Sequence, residues 1–347
     1  MPVTVVVGGQ FGSEGKGKVA HFLTQETGAS VAVRVGGSNS GHTVIDPSGT
    51  AIILQQLPTA AILPNVTCVI GAGSYIKPDI LLSEIACTGL PSERLLIDPN
   101  AMIVTEHEQI EEQTSSLRQS IGSTLSGTGA AVRRRIDRDF SVCLAKNNEH
   151  LREFVKPVVP FMRNQLQAKH RIIIEGTQGF GLSLLHSAEY PYVTSRDTTA
   201  AAFVSEAGLS PLDVDQIVLV LRAFPIRVSG NSGPLPYEID WQAVSSESGS
   251  SVPILEHTSV TKSIRRVARF HPDVVRQAIM VNRPTHIILN HLDYIDKSCC
   301  TLNALSAKAL SFVEEVESFI GSPIDYCGFG PSSLLTREQA ATQINLV

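Results

Sequence analysis

Short, almost continuous runs of aliphatic and β-branched residues recur along the chain, and several break off into glycine-rich polar loops. The runs are Val3–Val7, Ser30–Val35, Thr50–Leu57, Val66–Ile70, Leu95–Ile97, Arg171–Glu175, Gln216–Leu221 and Thr285–Asn290. Runs of this kind, without strict alternation, predict strands buried on both faces, as in a parallel sheet. Helical spacing fills much of the intervening sequence: Val19–Thr24, Pro78–Ala86 with proline at its first turn, Ala101–Gln119, Glu149–Lys169 interrupted near Pro157 and Pro160, Thr198–Ala207, Pro272–Met280 and Ala304–Phe319. Tyr190–Thr199 reads as irregular and Ser229–Pro236 as a turn-rich loop. Ser245–Ser251 reads as an exposed serine connector, Thr258–Arg269 as a basic loop or helix start, and Tyr326–Ser332 as a last glycine–proline loop. The pattern predicts an α/β fold: a large, mostly parallel central sheet flanked by helices, in one domain over residues 1–347. In such sheets ligands bind outside the carboxyl ends of the strands, where the glycine-rich loops fall.

Composition narrows the setting. A hydrophobic content of 43% supplies a core, and a net charge of −5 lacks the basic excess of a dedicated nucleic-acid binder. Six cysteines are scattered without a C-x-x-C pair, so they read as free thiols rather than a zinc site. Met1 leads straight into a strand and no apolar run approaches a membrane span, so a soluble, cytoplasmic protein without a membrane partner is expected.

The most informative loop is the first, Gly8-Gly9-Gln10-Phe11-Gly12-Ser13-Glu14-Gly15-Lys16-Gly17-Lys18. Glycines let backbone N–H groups approach phosphate oxygens, and a following helix start adds a favourable dipole. The loop is P-loop-like without matching the P-loop pattern: Gln10 stands where the first glycine belongs, and Gly17 replaces the Ser/Thr that holds Mg²⁺. His42, in a second glycine loop, is a candidate to polarise transferring oxygens. Arg133–Arg135 reads as readily as a solvated helix face, and Arg138 has no stronger claim from pattern. Arg265 and Arg266, beside Thr258, Ser259, Thr261 and Lys262, suit a dicarboxylate. Asp293 fits a base edge or a turn cap equally well.

Read together, GGQFGSEGKGK, GGSNSGHT, IGSTLSGTG, EGTQGFGLSLLH, YPYVTS, NHLD and GFGP resemble the adenylosuccinate synthetases, in that family's order from Gly8 to Pro331. The resemblance implies a homodimeric, Mg²⁺-dependent ligase. It would phosphorylate the 6-oxygen of a purine nucleotide and let aspartate displace the phosphate. By the same resemblance Ser13, Lys16, His42 and Gln178 would be catalytic. Ser13, Asn39, Ser40, Thr124, Gln178 and Thr194 would hold the purine monophosphate, with Arg138 reaching it from the other subunit. Gly12, Glu14, Gly15, Lys16, Gly17, Lys18, Gly41, His42, Thr43, His291, Asp293, Gly330 and Pro331 would hold the donor triphosphate. Ser259, Val260, Thr261 and Arg265 would take aspartate, and Ser13 with Gly41 would hold the metal.

The departures from the family pattern carry the rest. Ser13 stands where the family has the aspartate that removes the purine N1 proton, and a hydroxyl is no substitute base. A serine oxygen does accept from a 2-amino group and leaves it space. This exchange is similar to that of the phage-encoded 2-aminoadenylosuccinate synthetases, which act on dGMP. The expected reaction therefore joins L-aspartate to dGMP. His291 replaces a lysine that helps read guanine, which points to ATP or dATP as donor. Ser263 and Ile264 replace two arginines of the aspartate loop. An ordinary synthetase using IMP and GTP, and a non-catalytic purine-nucleotide sensor, are the competing readings. Glu14, a metal-bound water or a triphosphate oxygen are the candidates for the missing base.

Overall fold

The computed structural model describes residues 2–258 and 262–342. Nine strands form the central sheet, numbered here in chain order: β1 (Val3–Gly8), β2 (Val31–Arg34), β3 (Thr67–Ile70), β4 (Leu95–Ile97), β5 (Ile172–Glu175), β6 (Val214–Arg222), β7 (His286–Asn290), β8 (Tyr326–Phe329) and β9 (Ser333–Thr336). Their spatial order is β9-β8-β7-β6-β1-β5-β2-β3-β4. All neighbours run parallel except the terminal β8–β9 hairpin. The mostly parallel α/β sheet expected from the apolar runs is therefore the observed one.

β1 lies in the middle, and its six residues are all buried. Val5 and Val7 pack on one face with Phe203 and Val275, from helices Ala200–Ala207 and Pro272–Asn282. Val6 packs on the other with Val19, Ala20 and Leu23 of helix α1 (Lys16–Glu26). Burial on both faces explains why the strand reads as an unbroken valine run.

Six expectations need correction. Ser245–Ser251 is not an exposed connector: Trp241–Ser248 is a helix whose Asp240 side chain accepts from the Ala243 amide at 2.7 Å, and Ser248 is buried. A good N-cap and a buried tryptophan outweigh the serine composition. Thr258–Arg269 contains a strand, Arg266–Ala268, between Ile226–Arg227 and Glu238–Ile239. Tyr326–Ser332 is mostly strand β8 rather than loop. Ala101–Gln119 is broken: Met102–Ile103 pairs with Tyr75–Ile76, and a helix starts only at Glu106, fixed by a Thr105–Glu108 capping box. The runs around Thr50–Leu57 and Glu149–Lys169 shrink to a strand Ala51–Leu54, one 3₁₀ turn at Glu149–Leu151 and a helix Val158–Gln167.

Gln10 shows why the first loop departs from the P-loop spelling. Its side-chain amide donates to the Arg222 carbonyl at 3.1 Å, and its carbonyl oxygen accepts from the Arg222 amide at 2.9 Å. One side chain thus extends the β1–β6 ladder beyond the point where the backbone turns away. Buried peptide groups left unpaired cost about 1–3 kcal/mol each. Gln10→Leu, similar in size, should therefore destabilise the protein by about 2–4 kcal/mol in urea unfolding. A loss below about 0.5 kcal/mol would show that the ladder does not need this side chain.

Candidate functional site

Four of the five adjacent strands at the sheet centre end in a buried polar residue: Asn290 on β7, Arg222 on β6, Glu175 on β5 and Arg34 on β2. The middle strand, β1, ends in Gly8. Register places Arg222 beside Asn290 and Arg34 beside Glu175, so the carboxyl edge of the sheet carries a polar row. This row is the floor on which the glycine-rich loops sit.

The first loop is folded around its own carboxylate. Glu14 is fully buried; one oxygen accepts from the Gln10 and Gly12 amides at 3.1 and 2.8 Å, the other from Lys16 Nζ at 2.6 Å. A Cβ on Gly8 would lie 2.6 Å from that carboxylate, so the last residue of β1 has to be glycine. Asn290 Nδ2 donates to the Glu14 carbonyl at 2.9 Å, fixing the loop to β7. With Glu14 turned inward, Ser13 is left exposed at the loop apex with φ 56°. α1 then begins at Lys16.

A cavity of about 760 Å³ opens above this floor. Of the residues singled out in the sequence, it is lined by Gly12, Ser13, Gly15, Lys16, Gly17, Lys18, Asn39, Ser40, Gly41, His42, Thr43, Thr124, Gln178, Thr194, Arg265, His291, Gly330 and Pro331. Three described residues given site roles by the family resemblance do not line it. The Glu14 carboxylate is consumed inside the loop, which removes it as a substitute base and leaves only its backbone for a triphosphate. Asp293 is buried just behind the rim, where its Oδ1 accepts from the Gly330 amide at 3.0 Å. Arg138 is exposed beyond the end of helix Thr128–Ile136, away from the cavity of its own chain. Ser259, Val260 and Thr261 lie outside the described residues.

On one side of the cavity, Arg34, His42 and Glu175 meet. Glu175 Oε1 is 2.5 Å from Arg34 Nη1 and 2.6 Å from His42 Nδ1, and its Oε2 accepts from the Thr59 amide at 2.8 Å. Burial opposes ionisation of Glu175, but Arg34, His42 and that amide outweigh it and hold the carboxyl below its usual range. Burial, reinforced by Arg34, pushes the His42 imidazole down to about 3 against the pull of Glu175. The ring is therefore neutral near neutral pH. Its carboxylate neighbour assigns the proton to Nδ1, leaving Nε2 as the other ring nitrogen. His291 is also kept neutral, chiefly by burial and then by Arg222. Lys18 is pushed down to about 8 by burial and donates to the Phe329 and Gly330 carbonyls at 3.2 and 3.1 Å, tying α1 to the last loop.

On the other side lies a cluster that the sequence reading did not assemble. Arg222, fully buried, donates to Glu256 Oε1 at 2.5 Å and to the Ser13 carbonyl at 3.0 Å. Arg265 Nη1 donates to Ser13 Oγ and is 3.8 Å from Glu256 Oε2. Glu256 lines the cavity, yet burial is overcome by Arg222 and the carboxyl falls to about 2. The signal that was available is the position of Arg222, a charge ending an apolar run, as Arg34 and Glu175 also do.

The residues present fit Mg²⁺ in one way only. No cluster of three His, Cys, Asp or Glu suited to a metal exists among the described residues, so a protein cage is absent there. Ser13 Oγ accepts from the Arg265 guanidinium, so a cation held there would share the hydroxyl oxygen with a positive neighbour. Gly41 lines the cavity and offers a neutral carbonyl. That suits a hard ion held mainly by substrate phosphates.

Glu256 yields a pH prediction. Its carboxyl is lowered from 4.5 to about 2 in the folded chain, so its stabilisation is complete above pH 4.5 and is lost as pH falls through about 2. Glu256→Gln should cost about 3 kcal/mol at neutral pH, because Arg222 loses its partner. The gap to the wild type in urea unfolding should narrow as pH falls from 4.5 towards 2; a constant gap contradicts this account.

Comparison with known proteins places this geometry. The family model for adenylosuccinate synthetase matches residues 5–145 and 140–299. The adenylosuccinate synthetase of Methanocaldococcus jannaschii is 37% identical over 336 residues, 94% of each chain. That of Pyrococcus horikoshii is 32% identical over 338 residues, 95% of this chain and 96% of the relative. Among solved structures, succinoaminodeoxyadenylate synthetase (PurZ) of cyanophage S-2L, bound to dGMP and to dATP as energy donor, superimposes with a TM-score of 0.83. It is 28% identical and 99% of each chain is covered. Fully ligated adenylosuccinate synthetase of Plasmodium falciparum, 20% identical, shares the fold with a TM-score of 0.85 over 97% of this chain and all of that one. Family match, full-length relatives and the phosphate-type loop agree: the chain belongs to the adenylosuccinate synthetase family of ligases.

Proposed function

We propose that this chain joins L-aspartate to C6 of dGMP, with ATP or dATP as phosphoryl donor, giving N6-succino-2-amino-2′-deoxyadenylate. The observation that carries the reading is Ser13. It occupies the apex of the first loop, where the family pattern has a carboxylate, and faces the cavity with a hydroxyl bonded to Arg265. A hydroxyl there leaves room beside purine C2 and accepts a hydrogen bond from a 2-amino group. The likeness to a phage enzyme bound to dGMP and dATP supports the same reading.

In this reading Lys16 and the first-loop amides cradle the transferring phosphate, and neutral His42, held by Glu175, orients the 6-oxygen. Asn39, Ser40, Thr124, Gln178 and Thr194 hold the purine monophosphate, and Arg138 reaches its phosphate from the partner in a homodimer. Arg265, with the segment 259–261, takes the aspartate carboxylates. Mg²⁺, held at Gly41 and by phosphate oxygens, supplies charge neutralisation of the triphosphate. Neutral His291 in place of a lysine favours an adenine base over guanine, and Asp293, behind the rim, holds the Gly330 amide beside it.

An ordinary synthetase acting on IMP with GTP is the second reading, favoured by the higher identity of archaeal relatives named adenylosuccinate synthetase. Purified protein incubated with Mg²⁺, aspartate, each donor and either dGMP or IMP separates the two. Aspartate-dependent phosphate release is expected with dGMP and an adenine donor; release with IMP but not dGMP would sink the proposal. Ser13→Asp adds a second arm: crowding of the 2-amino group should lower dGMP turnover about tenfold or more. The ordinary reading requires IMP turnover to rise instead.

A further inference from the structure

Loss of the family's carboxylate at position 13 leaves a chemical gap, because the 6-oxygen becomes a good nucleophile only when the purine N1–H is lost. Carboxylates near Ser13 are already committed. Glu14 is enclosed by the Gln10 and Gly12 amides and by Lys16. Glu256 is held by Arg222 at 2.5 Å. The charged group in contact with Ser13 Oγ is instead a cation, Arg265. Arg222 adds a second guanidinium at the Ser13 carbonyl. Two guanidiniums and one carboxylate, Glu256, therefore leave the surroundings of Ser13 with one net positive charge. Tyr294, His291 and Glu14 also act on the cluster; the first two are uncharged near neutral pH, and the Glu14 carboxylate is matched by Lys16 at 2.6 Å, so the balance is unchanged.

We infer that Arg265 replaces general-base catalysis by electrostatic stabilisation of the N1-deprotonated purine, with Ser13 as the hydroxyl that spans the two. This rests on the purine lying against Ser13, as in the proposed function. An aspartate at position 13 would neutralise Arg265; serine leaves that charge for the purine, and the substrate aspartate draws on the same guanidinium only once the 6-oxygen has been phosphorylated. The chemistry balances without a protein base. Solvent hydroxide removes the N1 proton as water, and the negative charge spreads over N1 and the 6-oxygen. That oxygen then attacks the γ-phosphorus as the bond to the β–γ bridging oxygen breaks, and the electron pair leaves with the nucleoside diphosphate. A cation within about 4–6 Å of an acid favours its charged form by roughly 1–3 pH units. Arg265 thus raises the fraction of ionised purine at neutral pH by about 10- to 1,000-fold.

The test is the pH profile of kcat/KM for dGMP at saturating donor and aspartate, across the neutral and alkaline range. In the wild type the rate should climb with pH to a plateau. Arg265→Gln should move that climb upward by about 1–2 pH units, with a loss of about 10- to 100-fold at neutral pH that is recovered at the plateau. Arg265→Lys, which keeps the charge, should leave the climb near its wild-type position. Ser13→Asp, which supplies a carboxylate base and neutralises Arg265, should move the climb to the acid side. The inference is overturned if Arg265→Gln raises only the KM for aspartate and leaves the climb in place. It is equally overturned if Ser13→Asp keeps the wild-type profile. If the protein turns over IMP and not dGMP, the substrate proposal fails, and the same three profiles measured with IMP still decide the role of Arg265.

Discussion

The buried carboxylate of Glu14 is the contact on which the site depends. It gathers two backbone amides and the Lys16 ammonium inside a loop of only a few residues. That arrangement forces a glycine at the end of β1 and sends Ser13 outward. It also fixes where α1 begins. Move that carboxylate and the loop amides, the first lysine and the serine apex all lose their common reference.

Around this loop the sheet edge is electrostatically dense. Arg34 is matched by Glu175, Arg222 by Glu256 and Lys16 by Glu14, each pair at 2.5–2.6 Å. Pairs taken out of water bring little net stability, because desolvation offsets their attraction. Their effect is on specificity of shape: Arg34–Glu175 ties two strand ends together, Arg222–Glu256 ties a loop to a strand end, and Lys16–Glu14 closes the first loop on itself. Against this paired background Arg265 stands out, with its nearest carboxylate at 3.8 Å and its guanidinium on a serine hydroxyl.

Much of the fold and part of the site were legible in the sequence, for identifiable reasons. Strands buried on both faces show as plain apolar runs, and the lysine- and glycine-rich loop after β1 needs few residues to state its chemistry. Arg222 and Glu256 were not legible because they are 34 positions apart and their meeting depends on how the chain returns after β6. The inward turn of the Glu14 side chain was not legible because it depends on Gly8 and the packing beneath it rather than on its neighbours in sequence. The helix Trp241–Ser248 was hidden by serine content, although Asp240 marks its start. The strand Arg266–Ala268 was hidden by its basic composition, which its antiparallel partners override.

Lys18 joins residues more than 300 positions apart: its ammonium, one turn into α1, rests on the carbonyls of Phe329 and Gly330 at the end of β8. β8 and its partner β9 follow β1 in the chain by the whole of the intervening sheet. The rim that includes Gly330 and Pro331 therefore forms from sequence made long after the first loop. Lys18 gains its two carbonyl partners only when the C-terminal hairpin docks. Such long-range closure makes folding slow and late, and it couples completeness of the chain to nucleotide binding. A prematurely terminated product would keep the sheet centre but lack the wall against which a donor nucleotide is held.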